Sequence, residues 1–284
     1  SAGTLTINNG SGSDLTVNGS LVWTAATASL TVNAQASIDG GTLLNYTGVV
    51  LTNRGDINLE VTFNGSNAQT LNSTTLNSTS IFIINMNNAS GVTLSGGSVS
   101  TGALNFINGK ISTGGNTIVI NQGGLITGAG SSSGYVVGSV YRGYELGTST
   151  LDFPVGSASF YSPVSVTLNN VAGLAEIGVR NFGNEHPQIG ASDIQSNKSV
   201  NTYWAFDQNG GVYSSADITF NWDAAQVDGG ANTTNFRVGQ YYSDASEWSV
   251  LPSSNQQATS ISTTGITNFT DMSYAVGETI PATV

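Results

Sequence analysis

Cysteine is absent from the 284-residue chain. That excludes disulfide staples, thiol nucleophiles and thiolate metal sites together. Charge is scarce as well. Six Lys plus Arg against 17 Asp plus Glu leave a formal charge of -11, with 8% charged residues where an average domain has about 25%. Six cations cannot neutralise a track of phosphates, so nucleic acid is excluded as a partner. No apolar run approaches the ~20 residues of a membrane helix, which argues against membrane insertion. Histidine occurs once, at His186, and proline five times, always beyond residue 130.

What is abundant is small and polar. Together, 36 Gly, 30 Asn and 70 Ser plus Thr make nearly half the chain. These residues favour turns and extended backbone over helix, and 38% hydrophobic residues is too many for a disordered chain. The composition predicts an all-β protein.

Two regions differ. Residues 1–130 carry 4 acidic and 2 basic residues, 5 aromatics and no proline, whereas residues 131–284 carry 13 acidic and 4 basic residues and 19 aromatics. The step falls at the small-residue run Gly128–Gly134, where we place a domain boundary in the form of a hinge or a tight joint. In the first domain, 1–130, Thr4-Leu5-Thr6-Ile7-Asn8 recurs as Asp14-Leu15-Thr16-Val17-Asn18 and as Ser29-Leu30-Thr31-Val32-Asn33. Comparable runs follow at 81–85, 92–95 and 117–121, about ten to fifteen residues apart with no strict period. Short aliphatic strands with polar corners predict a right-handed parallel β-helix-like solenoid. Its core would take Leu5, Ile7, Leu15, Val17, Leu30, Val32, Ile83, Leu94, Ile118 and Ile120. The Asn-Gly pairs at 9–10, 18–19, 64–65 and 108–109 are also hairpin signals and support an antiparallel sandwich as the alternative.

The second domain, 131–284, predicts an antiparallel β-sandwich. Ten aromatic-rich alternating segments are separated by Gly, Asn and Pro turns, and only 192–200 could hold a helical turn. Several phrases carry a resemblance: Phe153-Pro154-Val155-Gly156, Tyr161-Ser162-Pro163-Val164, Asn201-Thr202-Tyr203-Trp204, Val227-Asp228-Gly229-Gly230-Ala231-Asn232, and the closing Phe269–Glu278. In the first half, Phe63–Leu71 and Leu104–Gly114 belong with them. The chain resembles large secreted surface proteins of the Bacteroidetes exported by the type IX pathway, in which a β-helical stalk often precedes such a sandwich. The resemblance implies an extracellular or cell-surface location and names no ligand. The start at Ser1 without Met, and the lack of an evident sorting domain after Glu278, read as a segment processed or excised from a longer chain.

Candidate chemistry is sparse. His186, beside Glu185 and near Ser192 and Asp193, is the one imidazole that a Ser-His-acid triad could use, but no nucleophile elbow accompanies it. Glycoside cleavage needs paired carboxylates, and the solenoid offers only Asp14, Asp39, Asp56 and Glu60, without an aromatic platform. We expect no catalysis and no cofactor, apart from a calcium candidate. Asp223, Asp228, Asn232 and Asn235 cluster around Gly229-Gly230 and could offer oxygen ligands to Ca²⁺, although Asx turns explain the same residues. Asp207, Asn209 and Asp244 are weaker ligands of the same kind. Arg54-Gly55-Asp56 is an integrin-type tripeptide of a length that arises by chance. Trp204, Trp248, Tyr241 and Tyr242 could stack on an extracellular glycan. The function expected is therefore that of a non-enzymatic structural or adhesive protein, a rigid stalk carrying a sandwich. Self-association or a neighbouring chain would cover the first rung at Thr4–Asn8, building filaments. The alternative is a carbohydrate-binding module or appendage of a larger secreted polysaccharide-active enzyme.

Overall fold

The computed structural model describes residues 20–23, 29–30, 36–39, 42–46, 50–51, 59–64, 67–72 and 80–281. The chain is all-β, with 64% strand and 4% helix, and divides into two compact units, Ser1–Val136 and Val137–Val284.

The first unit is a parallel β-solenoid of about four turns. Its described strands are β1 (Ser20–Trp23), β2 (Ser29–Leu30), β3 (Ala36–Asp39), β4 (Thr42–Tyr46), β5 (Val50–Leu51) and β6 (Leu59–Phe63), then β7 (Gln69–Asn72), β8 (Ser80–Asn87), β9 (Val92–Ser95), β10 (Val99–Asn108) and β11 (Ile111–Thr127). One parallel stack runs β3-β6-β8-β10-β11, and a second runs β1-β4-β7-β9-β11. Each turn spends strands on both stacks, so the ten-to-fifteen-residue spacing in sequence is about half a turn. The true repeat shows in an outward polar ladder at one register position. Asn85 Nδ2 donates to Thr62 Oγ1 at 3.2 Å, Asn105 Nδ2 to Asn85 Oδ1 at 2.9 Å, and Thr127 Oγ1 to Asn105 Oδ1 at 2.7 Å. Successive partners are 23, 20 and 22 residues apart.

Inside, Leu71, Ile84, Leu94, Leu104, Ile118 and Ile120 are fully buried. Leu94, Ile118 and Ile120 were expected there; Ile83 was too, but it is half-buried, and Ile84 and Met86 take the interior. A strand's period of two leaves only one parity inside, and Asn85 holds the parity of Ile83 on the ladder face. Leu5, Ile7, Leu15, Val17, Val32 and the side chain of Leu30 lie outside the described residues, as do Thr4–Asn8, Arg54-Gly55-Asp56, Asp14, and the side chains of Asp39 and Glu60. The Asn108-Gly109 pair is a solenoid corner and not a hairpin. Gly109 has φ +98°, and a Cβ on it would lie 1.8 Å from Asn88 O, so neither the backbone nor the next rung admits a side chain. Asn88, itself buried beneath that corner, ties its own turn to the preceding rung: Nδ2 donates to Asn67 O and Gln69 Oε1, both at 2.7 Å, and Oδ1 accepts Ser90 N–H at 2.9 Å. The small-residue run forms a closed turn within the first unit, where Gly130 and Gly134 exchange backbone hydrogen bonds of 2.9 Å.

The second unit has two antiparallel sheets. Its strands are β12 (Val136–Tyr144), β13 (Gly147–Phe153), β14 (Val155–Gly156), β15 (Val164–Val171), β16 (Ala175–Phe182) and β17 (Ile194–Gly210), then β18 (Ser215–Asn221), β19 (Phe236–Tyr242), β20 (Glu247–Leu251), β21 (Ser253–Ser254), β22 (Ser260–Ile266) and β23 (Met272–Thr279). One sheet is ordered β14-β12-β16-β17-β23-β19-β20, the other β13-β15-β18-β22-β21. Between them lies an aromatic core. Trp204 of β17 packs on Phe220 of β18 at 4.9 Å and donates its indole N–H to Ser162 O at 2.9 Å. Tyr144 of β12 reaches across to Val166 O at 2.9 Å. The helical turn expected within 192–200 is not there. A 3-10 turn spans Ile189–Ala191, and β17 begins at Ile194, because Ser192 Oγ donates to Ile189 O and accepts Ile194 N–H, ending the turn.

Candidate functional site

The outer face of the larger sheet carries the most developed side-chain constellation. Residues 202–207 of β17 alternate: Trp204 and Phe206 point into the core, so Tyr203, Ala205 and Asp207 face outward. On β23, antiparallel register places Ala275 opposite Tyr203 and Ser273 opposite Ala205. Two small residues side by side on central strands leave a depression of about 520 Å³.

The loop after β16 covers one end of it. His186 is 5% exposed and is ringed by Tyr203, Tyr241 and Trp248 with centroids 4.7, 5.0 and 4.8 Å away. Trp248 donates its indole N–H to Gln188 O at 3.0 Å and packs on a small cluster of Ile189, Ile194 and Ala275. These contacts give the sheet a second, minor core on its outer side. Phe182 continues the row, stacked on Tyr203 at 4.5 Å with the Arg180 guanidinium over it at 5.1 Å.

The hydrogen bonds fix the imidazole's state. Nδ1 accepts Gln188 N–H at 3.1 Å, so the proton sits on Nε2, which lies 2.9 Å from Ser273 Oγ. Burial lowers the His186 pKa to about 4, and the ring is neutral at pH 7. A protonated Nε2 cannot take a proton from Ser273, and no carboxylate accepts from Nδ1, so this pair lacks the arrangement of a nucleophile with its base. Two of the triad partners considered from sequence are engaged elsewhere: Ser192 closes the 3-10 turn, and Glu185 accepts Ser199 Oγ at 2.6 Å. Burial raises the Glu185 pKa, Ser199 opposes that rise, and the charge of Asp228 adds to it.

No family model, curated protein or solved structure matches the chain.

The glycan-stacking set is only partly brought together. Tyr241 and Trp248 meet at 5.1 Å on the outer face. Tyr242 lies on the opposite face of β19 by alternation, and Trp204 is fully buried between the sheets, unavailable to any ligand. Sequence reasoning missed Tyr203, Ala205 and Ser273. The alternation of 203–207 was legible, but the pairing that sets Ala205 beside Ser273 was not.

Asp223, Asp228, Asn232 and Asn235, the residues weighed first for calcium, all take part in local hydrogen bonds. Asp223 caps the 3-10 turn Ala224–Gln226, with Oδ1 accepting Ala225 N–H at 2.9 Å. Asp228 accepts Ser199 N–H at 2.9 Å and Asn201 Nδ2 at 2.8 Å. Asn232 caps the turn Thr233–Asn235, and Asn235 N–H donates to Asn232 O at 2.9 Å. Lys198 Nζ reaches the Gly229 and Gly230 carbonyls at 3.3 and 2.6 Å, placing an ammonium on oxygens a hard cation would need. Among the described residues, no three carboxylate or imidazole groups converge as a metal cage. Of the weaker set, Asp207 accepts Tyr141 O–H at 2.5 Å, Asn209 donates to Glu176 at 3.0 Å, and Asp244 sits exposed in the β19–β20 turn.

Proposed function

We propose that this chain is a non-enzymatic structural and adhesive protein of the cell surface or extracellular space, in which a solenoid stalk accompanies a recognition sandwich. The observation that carries the reading is the ladder Thr62-Asn85-Asn105-Thr127. It joins four successive rungs through side chains outside the core, so outward positions that an enzyme could give to chemistry are spent on tying rungs together. Parallel rungs also present unpaired backbone groups at a solenoid's ends, which favours end-to-end association between copies. The resemblance to type IX-exported surface proteins of the Bacteroidetes agrees with this setting. Immunoelectron microscopy of the native source, paired with turnover assays on polysaccharides, tests it. Label on the cell surface without turnover supports the reading; cytoplasmic label or polysaccharide cleavage overturns it.

The half-buried Tyr241–Trp248 pair favours a second reading, a glycan-binding module. Binding on a glycan array that Trp248→Ala abolishes without unfolding would put this reading first.

A further inference from the structure

We infer that the groove on the outer face of the sandwich binds an aliphatic ammonium group, carried by a small amine or by a lysine side chain. The inference goes beyond the structural reading, since it concerns binding in solution and holds or fails whether or not the chain is adhesive.

Register makes the groove two-ended. From the floor pair Ala205–Ser273, the strands run antiparallel, so two residues along in one direction lie Tyr203 and Ala275; in the other the pairing ends at Phe206–Met272, with Asp207 next on β17 and Asp271 in the turn that precedes β23. The first end is walled by Tyr203, Tyr241 and the buried neutral His186. The second holds the two aspartates together with Ser243. Asp207 is oriented by Tyr141, whose ring crosses Gly178 so closely that a Cβ there would lie 2.4 Å from it. Burial, then the hydrogen bond to Asp207, raises the Tyr141 pKa, so the phenol remains a donor. Asp271 has φ +57°, and its carbonyl accepts Ser243 N–H at 3.1 Å, which fixes the turn that carries it.

The chemistry of the lining selects the ligand. No Lys or Arg is among the residues lining the groove; the nearest cation is Arg180, beside Ala205 in register, whose guanidinium leans over Phe182 at the Tyr203 end, away from the aspartates. Within the groove a saccharide meets crowded rings, since Phe182 is covered by Tyr203 on one side and approached by Arg180 and Tyr241 leans on His186; the glycan reading therefore rests on Trp248, outside the groove lining. What these rings offer is an apolar wall for a methylene chain, ending at two carboxylates. A charge-assisted bond to carboxylate is the stronger kind of hydrogen bond, and the chain's net charge of -11 draws cations toward it. The volume of about 520 Å³ falls within the range of ligand sites, about 300–1,000 Å³, and exceeds what one alkylammonium needs, leaving room for the backbone that carries it.

The test is a two-dimensional NMR titration of the full chain with butylamine, N-acetyl-lysine methylamide, N-acetyl-norleucine methylamide and maltotriose. The expected result is saturable shifts at the amides of Ala205, Tyr241 and Ser273 with butylamine or the lysine derivative, and none with norleucine at equal concentration. Butylamine alone would mark a free-amine site, and both together a lysine side chain; either supports the inference. Asp207→Asn with Asp271→Asn should weaken binding at least tenfold, because both replacements keep the local geometry and remove the charge. Ala205→Val, which fills the floor and keeps both aspartates, should weaken it too. The inference is overturned if norleucine matches lysine, if neither amine shifts these amides, if maltotriose alone shifts them, or if binding survives both the double variant and Ala205→Val.

Discussion

The two units solve the same problem, burying one face of a β-sheet, with different chemistry. In the solenoid, identical register positions stack, so a residue is supported by its equivalents above and below. Asn85 over Asn105 and Leu71 beside Leu94 are such pairs. Aliphatics fill most of that interior, joined by Phe63 and Phe106, because each turn repeats the last, and the polar ladder can sit outside. In the sandwich no position repeats. Two unlike sheets must be filled, and large rings fill them: Trp204, Phe206, Phe220, Phe269 and Tyr274 form one connected cluster with centroids 4.9–6.1 Å apart. The jump in aromatics at residue 130 is this difference written in composition. It also explains why the candidate site lies on the sandwich. Only a non-repeating sheet can set an alanine beside a serine, and two aspartates beside those, without setting the same group on every rung.

The comparison can be broken most severely at a corner. Gly109→Val meets both a positive φ and a backbone oxygen at 1.8 Å, and is expected to cost about 4 kcal/mol or more, seen as loss of the first unit's thermal transition. Gly115→Ala, which meets nothing within 4 Å and needs no left-handed backbone, should change stability by less than about 0.5 kcal/mol. The matching lesion in the second unit is Trp204→Ala, expected to cost about 3–5 kcal/mol in chemical denaturation followed by tyrosine and tryptophan fluorescence. A polar corner costs less. Asn88→Ala leaves Gln69 Oε1 and the Ser90 N–H without this partner and should cost about 1–3 kcal/mol by the same measurement.

A smaller effect distinguishes the outer face of the sandwich from its core. The folded pKa of His186, about 4, lies below the unfolded value of about 6.5. The unfolded chain therefore binds the proton first. The stabilisation is fully present above about pH 6.5 and is lost as pH falls toward 4. The melting temperature of the native chain should drop more steeply from pH 7 to 5 than that of His186→Gln; equal slopes would remove His186 from the pH response. Smallest of all, exchange of millimolar Ca²⁺ for chelator should leave the melting temperature unchanged, since Lys198 and the local caps hold the 223–235 loop.

Much of this architecture is legible in the sequence because it rests on local signals. Alternation in Asp217–Trp222 marks a strand in the sequence, and β18 runs there. The solenoid repeat is harder to read, because partners 20–23 residues apart are interleaved with strands of the other stack. Parity at Ile83 and Ile84 cannot be read from four consecutive apolar residues; it is decided by Asn85 on the ladder. Among site residues, Trp248 and Tyr241 stand out as aromatics, but nothing local distinguishes Trp204, equally aromatic and wholly buried. Ala205 and Ser273 carry no signal at all, being ordinary small residues 68 positions apart in sequence whose importance comes from antiparallel register.

The most direct measurement of the central claim, two β architectures of different construction in one chain, is amide hydrogen exchange by mass spectrometry on the full chain and on Gly109→Ala. In the native chain, slow exchange should cover β8, β10 and β11 in the first unit and β16, β17 and β23 in the second. In the variant, protection should collapse through β8–β11, whose rungs meet at that corner, and persist through β16, β17 and β23. Unchanged protection across β8–β11, or equal loss in both units, would contradict the account.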